Sequence, residues 1–322
     1  MSPPRGDGLL DRLVSRRLLI LSGKGGVGKS TVGLAVALAA SERGRRVLFV
    51  EIDAPVEAGR LFGCAPVGGV ETELRPGLSA VNLQPAAVMD EYVHHALRVG
   101  MLARRVTSSP IYERFFAAAP GLKELMVMGK LMALEGATRG RSPRYDLIVV
   151  DAPATGHGLS LLKVPIAAAA AVPVGPVGRE ARRIIELLRD RTRTALAIVA
   201  IPEEMAVVEA LELHRLAEEE VGIETTAVIL NACHERRLTR EQEAEVQRLA
   251  RDGATGRLAR GVPLDAALAA ARRQIRRRKR SRFYSERLRR SQPAPVATLP
   301  FLFETSLDDS SLRRLAGELD RR

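Results

Sequence analysis

The run Gly23-Lys24-Gly25-Gly26-Val27-Gly28-Lys29-Ser30-Thr31 carries the strongest chemical signal in the chain. It satisfies the spacing G-x-x-x-x-G-K-[ST], which needs a strand before it and a helix after it. Leu18 to Leu21 supply the apolar strand, and Val32 to Ala40 read as an amphipathic helix. Glycines let the backbone fold tightly and aim N–H groups at an anion. The helix N-terminus adds partial positive charge. Lys29 is expected to reach the outer phosphates of a nucleotide and the Ser30 hydroxyl to bind Mg2+.

Phosphoryl transfer also needs a group that positions water and a group at the metal. Two aspartates stand at the ends of apolar strands, Asp53 after Phe49-Val50-Glu51-Ile52 and Asp151 after Leu147-Ile148-Val149-Val150. Strand ends are where a doubly wound sheet opens its ligand crevice.

Seven runs predict strands: 17–22, 46–53, 78–83, 146–151, 195–201, 225–231 and 295–299. Several are apolar on both faces, as in a parallel sheet covered by helices on either side. Helical patterns alternate with them, so the fold class is α/β, a doubly wound, mostly parallel sheet. Residues 84–144 are too long for one crossover and read as a helical subdomain inserted into the sheet domain. The expected division is 1–83 and 145–322 for the two parts of the core, with 84–144 between them.

Hydrophobic residues make up 46% of the 322, enough for a large core without Trp. Two cysteines, Cys64 and Cys233, exclude a disulfide framework and a four-thiolate zinc site within one chain. A reducing cytoplasm is the simple reading. No run reaches the roughly 20 apolar residues of a spanning helix, and residues 1–17 do not read as a secretory signal. The net charge is +12, and ten of those twelve charges sit in residues 272–290, where eleven basic side chains face one acid, Glu286. That stretch, within 264–290, predicts one exposed basic helix with a thin apolar stripe of Leu264, Leu268, Ala271, Ile275 and Phe283.

The early lysine in Gly23-Lys24-Gly25-Gly26 resembles the deviant Walker A loop of the P-loop NTPases that include partition, septum-site, arsenite-pump and tail-anchored-protein targeting ATPases. The stretch Asp151-Ala152-Pro153-Ala154-Thr155-Gly156-His157-Gly158-Leu159 is similar to the second switch, D-T-A-P-T-G-H-T-L, of the ArsA/GET family. The first switch, D-P-A-H-S in that family, matches at Asp53, with the proline shifted to Pro55 and the histidine absent. The likeness implies ATP and Mg2+ as ligands. By position, Lys24 contacts phosphate across a dimer interface, and Asp53 orients or deprotonates the attacking water. Ser30, Asp53 and Asp151 serve the metal, and Gly156 senses the γ-phosphate. Asn231, after Val228-Ile229-Leu230, matches the asparagine that reads the adenine edge; Pro300 and Phe301 match the loop packed on the base.

The resemblance also implies what the cycle serves. ATP-driven closure of a homodimer, or of a heterodimer with a paralogue, moves the helical subdomain, where Met126, Met128 and Met132 suit either an apolar groove for a client helix or ordinary core packing. Flanking the methionines, Pro120-Gly121-Leu122-Lys123-Glu124 resembles the family's Pro-Gly-x-x-Glu helix. The Cys-x-x-Cys of the targeting ATPases is absent, and two cysteines are too few for the arsenite enzyme's three thiolates. A partition- or septum-type positioning ATPase is the alternative, as is an inactive partner of a catalytic paralogue. Residues 272–290 read first as a solvated structural face and next as a contact for an anionic membrane surface or an acidic partner; the expected location is cytoplasmic, with peripheral membrane contact as an option. Nucleic acid ranks below these, because only Phe283 and Tyr284 interleave the charges.

Overall fold

A computed structural model describes residues 8–53, 57–97, 121–153, 159–258 and 261–321. Eight strands form one sheet: β1 (Leu18–Ser22), β2 (Val47–Ile52), β3 (Thr72–Arg75), β4 (Leu78–Leu83), β7 (Leu147–Asp151), β8 (Thr194–Ala200), β9 (Thr225–Cys233) and β10 (Val296–Pro300). Their order is β10-β9-β8-β1-β7-β2-β4-β3. Every pairing is parallel except that of β3 with β4. A separate two-stranded ribbon joins β5 (Thr138–Arg139) and β6 (Ser142–Pro143). The seven predicted strands are present within two residues at each end. The edge strand β3 and the ribbon were not predicted.

The chain leaves β1, crosses over β7 and returns in β2, while β8 lies on the other side of β1. That reversal opens a crevice beyond the carboxyl ends of β1, β7, β2 and β8. Strand residues are buried on both faces: Leu19, Leu21, Phe49 and Val149 belong to one cluster, and Ile20, Val50, Ile148 and Ile198 to the other. The first cluster packs under α1 (Leu9–Val14), α2 (Lys29–Glu42) and α11 (Asp309–Asp320). The second packs under α5 (Leu122–Gly136), α6 (Ser160–Ala171), α7 (Gly175–Arg189) and α8 (Glu204–Leu216).

Two expectations are corrected. Helix α2 is not amphipathic: every residue from Val32 to Ala40 is buried. It lies between the sheet and helices α1 and α11, so no face meets water. The basic helix α10 (Leu264–Ser291) is continuous, as expected, but its stripe changes face. Leu268 and Ile275 are buried in the first half, Ser281, Ser285 and Leu288 in the second, while Phe283 is 59% exposed. The first half rests on α9 (Arg240–Arg251), and the helix also meets α8, β9 and β10. At 3.6 residues per turn the two buried sets point about a third of a turn apart.

Of the inserted region, α4 (Pro85–Leu97) and α5 are described, and they pack on one another. Met126 and Met128 are buried in the second core cluster, with Met132 half-buried against it. Residues 98–120 lie outside the described residues, as do Pro55 and the second-switch residues Thr155, Gly156 and His157.

Candidate active site

The cradle begins where β1 ends. Gly23 has φ 148°, and a Cβ there would stand 2.2 Å from the carbonyl oxygen of Val199 on β8, so only glycine fits between the two strands. Gly26 and Gly28 follow at φ 80° and 85°, turning the chain into α2. The first amides of α2 have no intrahelical acceptor and face the loop's concave side. Val27 is buried and pins the loop to the core. Lys29 is only 7% exposed. Its Nζ donates to the carbonyl oxygens of Gly23 and Lys24, both at 3.2 Å, which holds the ammonium inside the loop. Burial lowers the Lys29 pKa, and the nearby Asp151 carboxylate opposes that shift.

Ser30 joins the loop to β7: its hydroxyl donates to Asp151 Oδ2 at 2.5 Å. Asp151 is 6% exposed, and its other oxygen, Oδ1, is buried without a hydrogen-bond partner among the described residues. Burial pushes the Asp151 carboxyl up, while the Ser30 hydrogen bond and Lys29 hold it down. A buried orphan carboxylate oxygen beside a serine hydroxyl is the donor set a hard divalent cation takes through oxygen ligands and water. The residues therefore fit Mg2+.

Asp53 sits one strand away, just past β2, exposed to solvent. It adopts φ 46°, the left-handed region that Asp tolerates better than most residues. Its N–H donates to the carbonyl of Leu83 at 3.1 Å, which fixes the backbone there. The order β1-β7-β2 thus brings Ser30, Asp151 and Asp53 to one edge of the sheet.

Lys24 does not point into its own loop. Its Nζ pairs with Glu209 Oε1 on α8 at 2.9 Å, and both side chains are partly exposed. Sequence reading assigned Glu209 no role, because an acid on an exposed helix face has no local signature. Asn231 lies against the cradle: its Nδ2 donates to the carbonyl of Val27 at 3.0 Å. A Cβ on Gly28 would stand 2.5 Å from that nitrogen. Pro300 is buried, and the Phe301 N–H donates to the Cys233 carbonyl at 2.8 Å. The Phe301 ring stacks on His234 with centroids 4.7 Å apart, and Phe303 meets both rings edge-on. Arg237 lies over Phe303 at 4.0 Å. The pKa of His234, also unassigned from sequence, is lowered by burial and by the arginines facing it, Arg277 foremost. Thr31 is half-buried on the first turn of α2.

Glu51 is the largest omission. It is fully buried near the end of β2, and burial pushes its carboxyl up to about 7 against two backbone hydrogen bonds. The available signal was a single charge inside the apolar run Val47–Ile52.

A strand, a glycine-rich turn with a buried lysine, a serine bonded to a strand-end aspartate and a parallel sheet reversing at that point define a P-loop NTPase domain. Residues 16–173 match the family model described as Anion-transporting ATPase. The chain is 32% identical over 227 residues to ATPase BagA of Mycobacterium tuberculosis, covering 68% of this chain and 66% of that protein. It is 29% identical over 231 residues to an arsenical pump-driving ATPase of Escherichia coli (66% of this chain, 39% of that one). An arsenical pump-driving ATPase of Acidiphilium multivorum is 29% identical over 255 residues, covering 72% and 41%. The chain belongs to the ArsA family of ATPases. It spans about two thirds of the mycobacterial relatives and less than half of the arsenical pumps.

Proposed function

We propose that this chain hydrolyses ATP with Mg2+, in a dimer whose closure drives the helical region. The observation that carries the reading is the buried Lys29 loop joined through Ser30 to Asp151. Lys29 and the amides at the start of α2 hold the phosphates. Ser30 and Asp151 would hold Mg2+, which when bound would supply positive charge beside the outer phosphates. Asp53 orients the attacking water and takes its proton from the exposed mouth of the crevice. Asn231 and the Pro300–Phe301 loop meet the base. By family position, Gly156 reports the γ-phosphate to α6.

Lys24 supports the dimeric reading. It lies outside its own cradle, beside an α8 face on which Met205 is 61% and Val208 38% exposed. An exposed ion pair is worth about 0–1 kcal/mol, so Glu209 releases Lys24 readily when a second subunit arrives. Mixing two inactive variants, Lys24→Ala and Asp53→Asn, tests this. In trans, a mixed dimer keeps one complete site, and random assembly restores about a quarter of the parental turnover. If Lys24 serves its own subunit, no activity returns.

The cargo in this reading is a membrane-protein helix, taken up by residues 84–144. The supporting feature is the apolar helix α6, whose Ala167 and Ala170 are exposed, as is Val172 just after it, beside α5 and α7. Helix α10 supplies the contact with an anionic membrane surface. Arg273, Arg276, Arg277 and Arg280 line a shallow groove of about 420 Å3 on it. Each such charge near an anionic bilayer contributes about 1 kcal/mol. Replacing Arg273, Arg276 and Arg277 with Gln is expected to lower affinity for phosphatidylserine vesicles by roughly 100-fold in co-sedimentation, with ATP turnover unchanged. Equal co-sedimentation of the two proteins removes α10 from the reading.

A further inference from the structure

Glu51 is a buried carboxyl group that the proposed chemistry does not yet use. Its Oε1 accepts the backbone N–H groups of Glu57 and Ala58, both at 3.1 Å. Its Oε2 is buried with no hydrogen-bond partner among the described residues. Glu135, the comparably buried glutamate, is matched by the guanidinium groups of Arg17 and Arg193. No such pairing reaches Glu51 among the described residues. Burying an unpaired carboxylate is costly, and a well-packed apolar side chain at this strand position avoids that cost.

The register explains where compensation comes from. Glu51 and Asp151 are Cα partners on the adjacent parallel strands β2 and β7. Partners on neighbouring strands project to the same face, about 4.8 Å apart along the sheet. Asp151 also buries one oxygen without a partner. Two neighbouring carboxylates, each with an unsatisfied oxygen, repel one another unless a cation stands near both. The two hydrogen bonds to Oε1 fix the backbone at Glu57 and Ala58, four and five residues after Asp53.

We infer that Glu51 is a positioning residue that couples the cation site to the first switch. One oxygen ties down the start of α3 (Glu57–Leu61), and the charge belongs to the outer shell of the Mg2+ held by Ser30 and Asp151. The inference rests on the Mg2+ assignment above. Occupancy of the cation site thereby bears on the backbone that carries Asp53, without Glu51 touching substrate.

The test reads metal affinity and backbone protection on the full chain. Mn2+ binding to the ADP-loaded protein is followed by electron paramagnetic resonance, and hydrogen–deuterium exchange is followed at Glu57 and Ala58. Glu51→Gln keeps an acceptor for both amides but loses the charge. It should retain parental exchange and bind Mn2+ about tenfold more weakly, the usual scale for an outer-shell carboxylate. Glu51→Ala should lose the exchange protection as well. Parental Mn2+ affinity in Glu51→Gln, or parental protection in Glu51→Ala, overturns the inference. Asp151→Asn separates the two levels: if it too binds Mn2+ like the parent, the cation assignment itself falls, whereas a loss confined to Asp151→Asn sinks the coupling alone. Should Glu51→Ala fail to fold, Glu51→Gln still decides the charge.

Discussion

Replacing Asp53 with Asn should abolish ATP turnover, by about 1,000-fold, while leaving fold and nucleotide binding intact. The scale is that of a lost general base or water-positioning group, about 100- to 10,000-fold. The substitution is close to isosteric, and the backbone accepts it. Asp53 sits at φ 46°, and Asn occupies the left-handed region at least as readily as Asp. The side chain is exposed, so no core contact is lost. The backbone N–H to Leu83 remains, because it does not involve the side chain. Phosphate release measured at saturating ATP decides the matter: turnover within a few-fold of the parent removes Asp53 from the chemistry.

The largest structural effect is expected at Gly23. A methyl group there meets the Val199 carbonyl at 2.2 Å, and at φ 148° an L side chain is strained even without a neighbour. Backbone lies on both sides, so relief requires β1 and β8 to part, beneath the cradle. Gly23→Ala should cost about 3 kcal/mol or more, at the severe end for one substitution, and lower the melting temperature by roughly 6–12 °C. Gly26→Ala is the internal control. Gly26 has φ 80° but nothing among the described residues within 4 Å of the added atom. Its cost is confined to the backbone, about 1 kcal/mol. Equal melting temperatures for the two variants, measured by differential scanning calorimetry, contradict the close approach at Gly23.

Both predictions depend on features of unequal visibility in the sequence. The loop was legible because its function requires particular residue types at fixed spacing within a strand–turn–helix context. The parallel strands were legible because burial on two faces makes them continuous apolar runs, as in Leu18–Leu21 and Leu147–Val150. Strand β3 was not, since Thr-Glu-Leu-Arg at an antiparallel edge buries only Leu74. The stripe of α10 was misread because periodicity assumes one partner along a helix, and this helix changes partners midway.

The site itself divides in the same way. Asp53 and Asp151 announce themselves as acids at strand ends. Glu51, Glu209 and His234 do not, because their significance lies in what the fold brings to them: a strand neighbour, a lysine 185 residues away and a phenylalanine from another strand's loop. Asn231 was assigned to the base from family likeness, and the structure adds a contact with the cradle itself, at the Val27 carbonyl.

The central claim is that the loop around Lys29 grips a magnesium-bound nucleoside triphosphate. Calorimetric titration of Mg·ATP into the Asp53→Asn protein tests it most directly, since slow turnover leaves binding heat undistorted. The account predicts saturable uptake of one nucleotide per chain, weakened when EDTA replaces Mg2+. A flat titration, with no heat of binding at any ATP concentration, contradicts it.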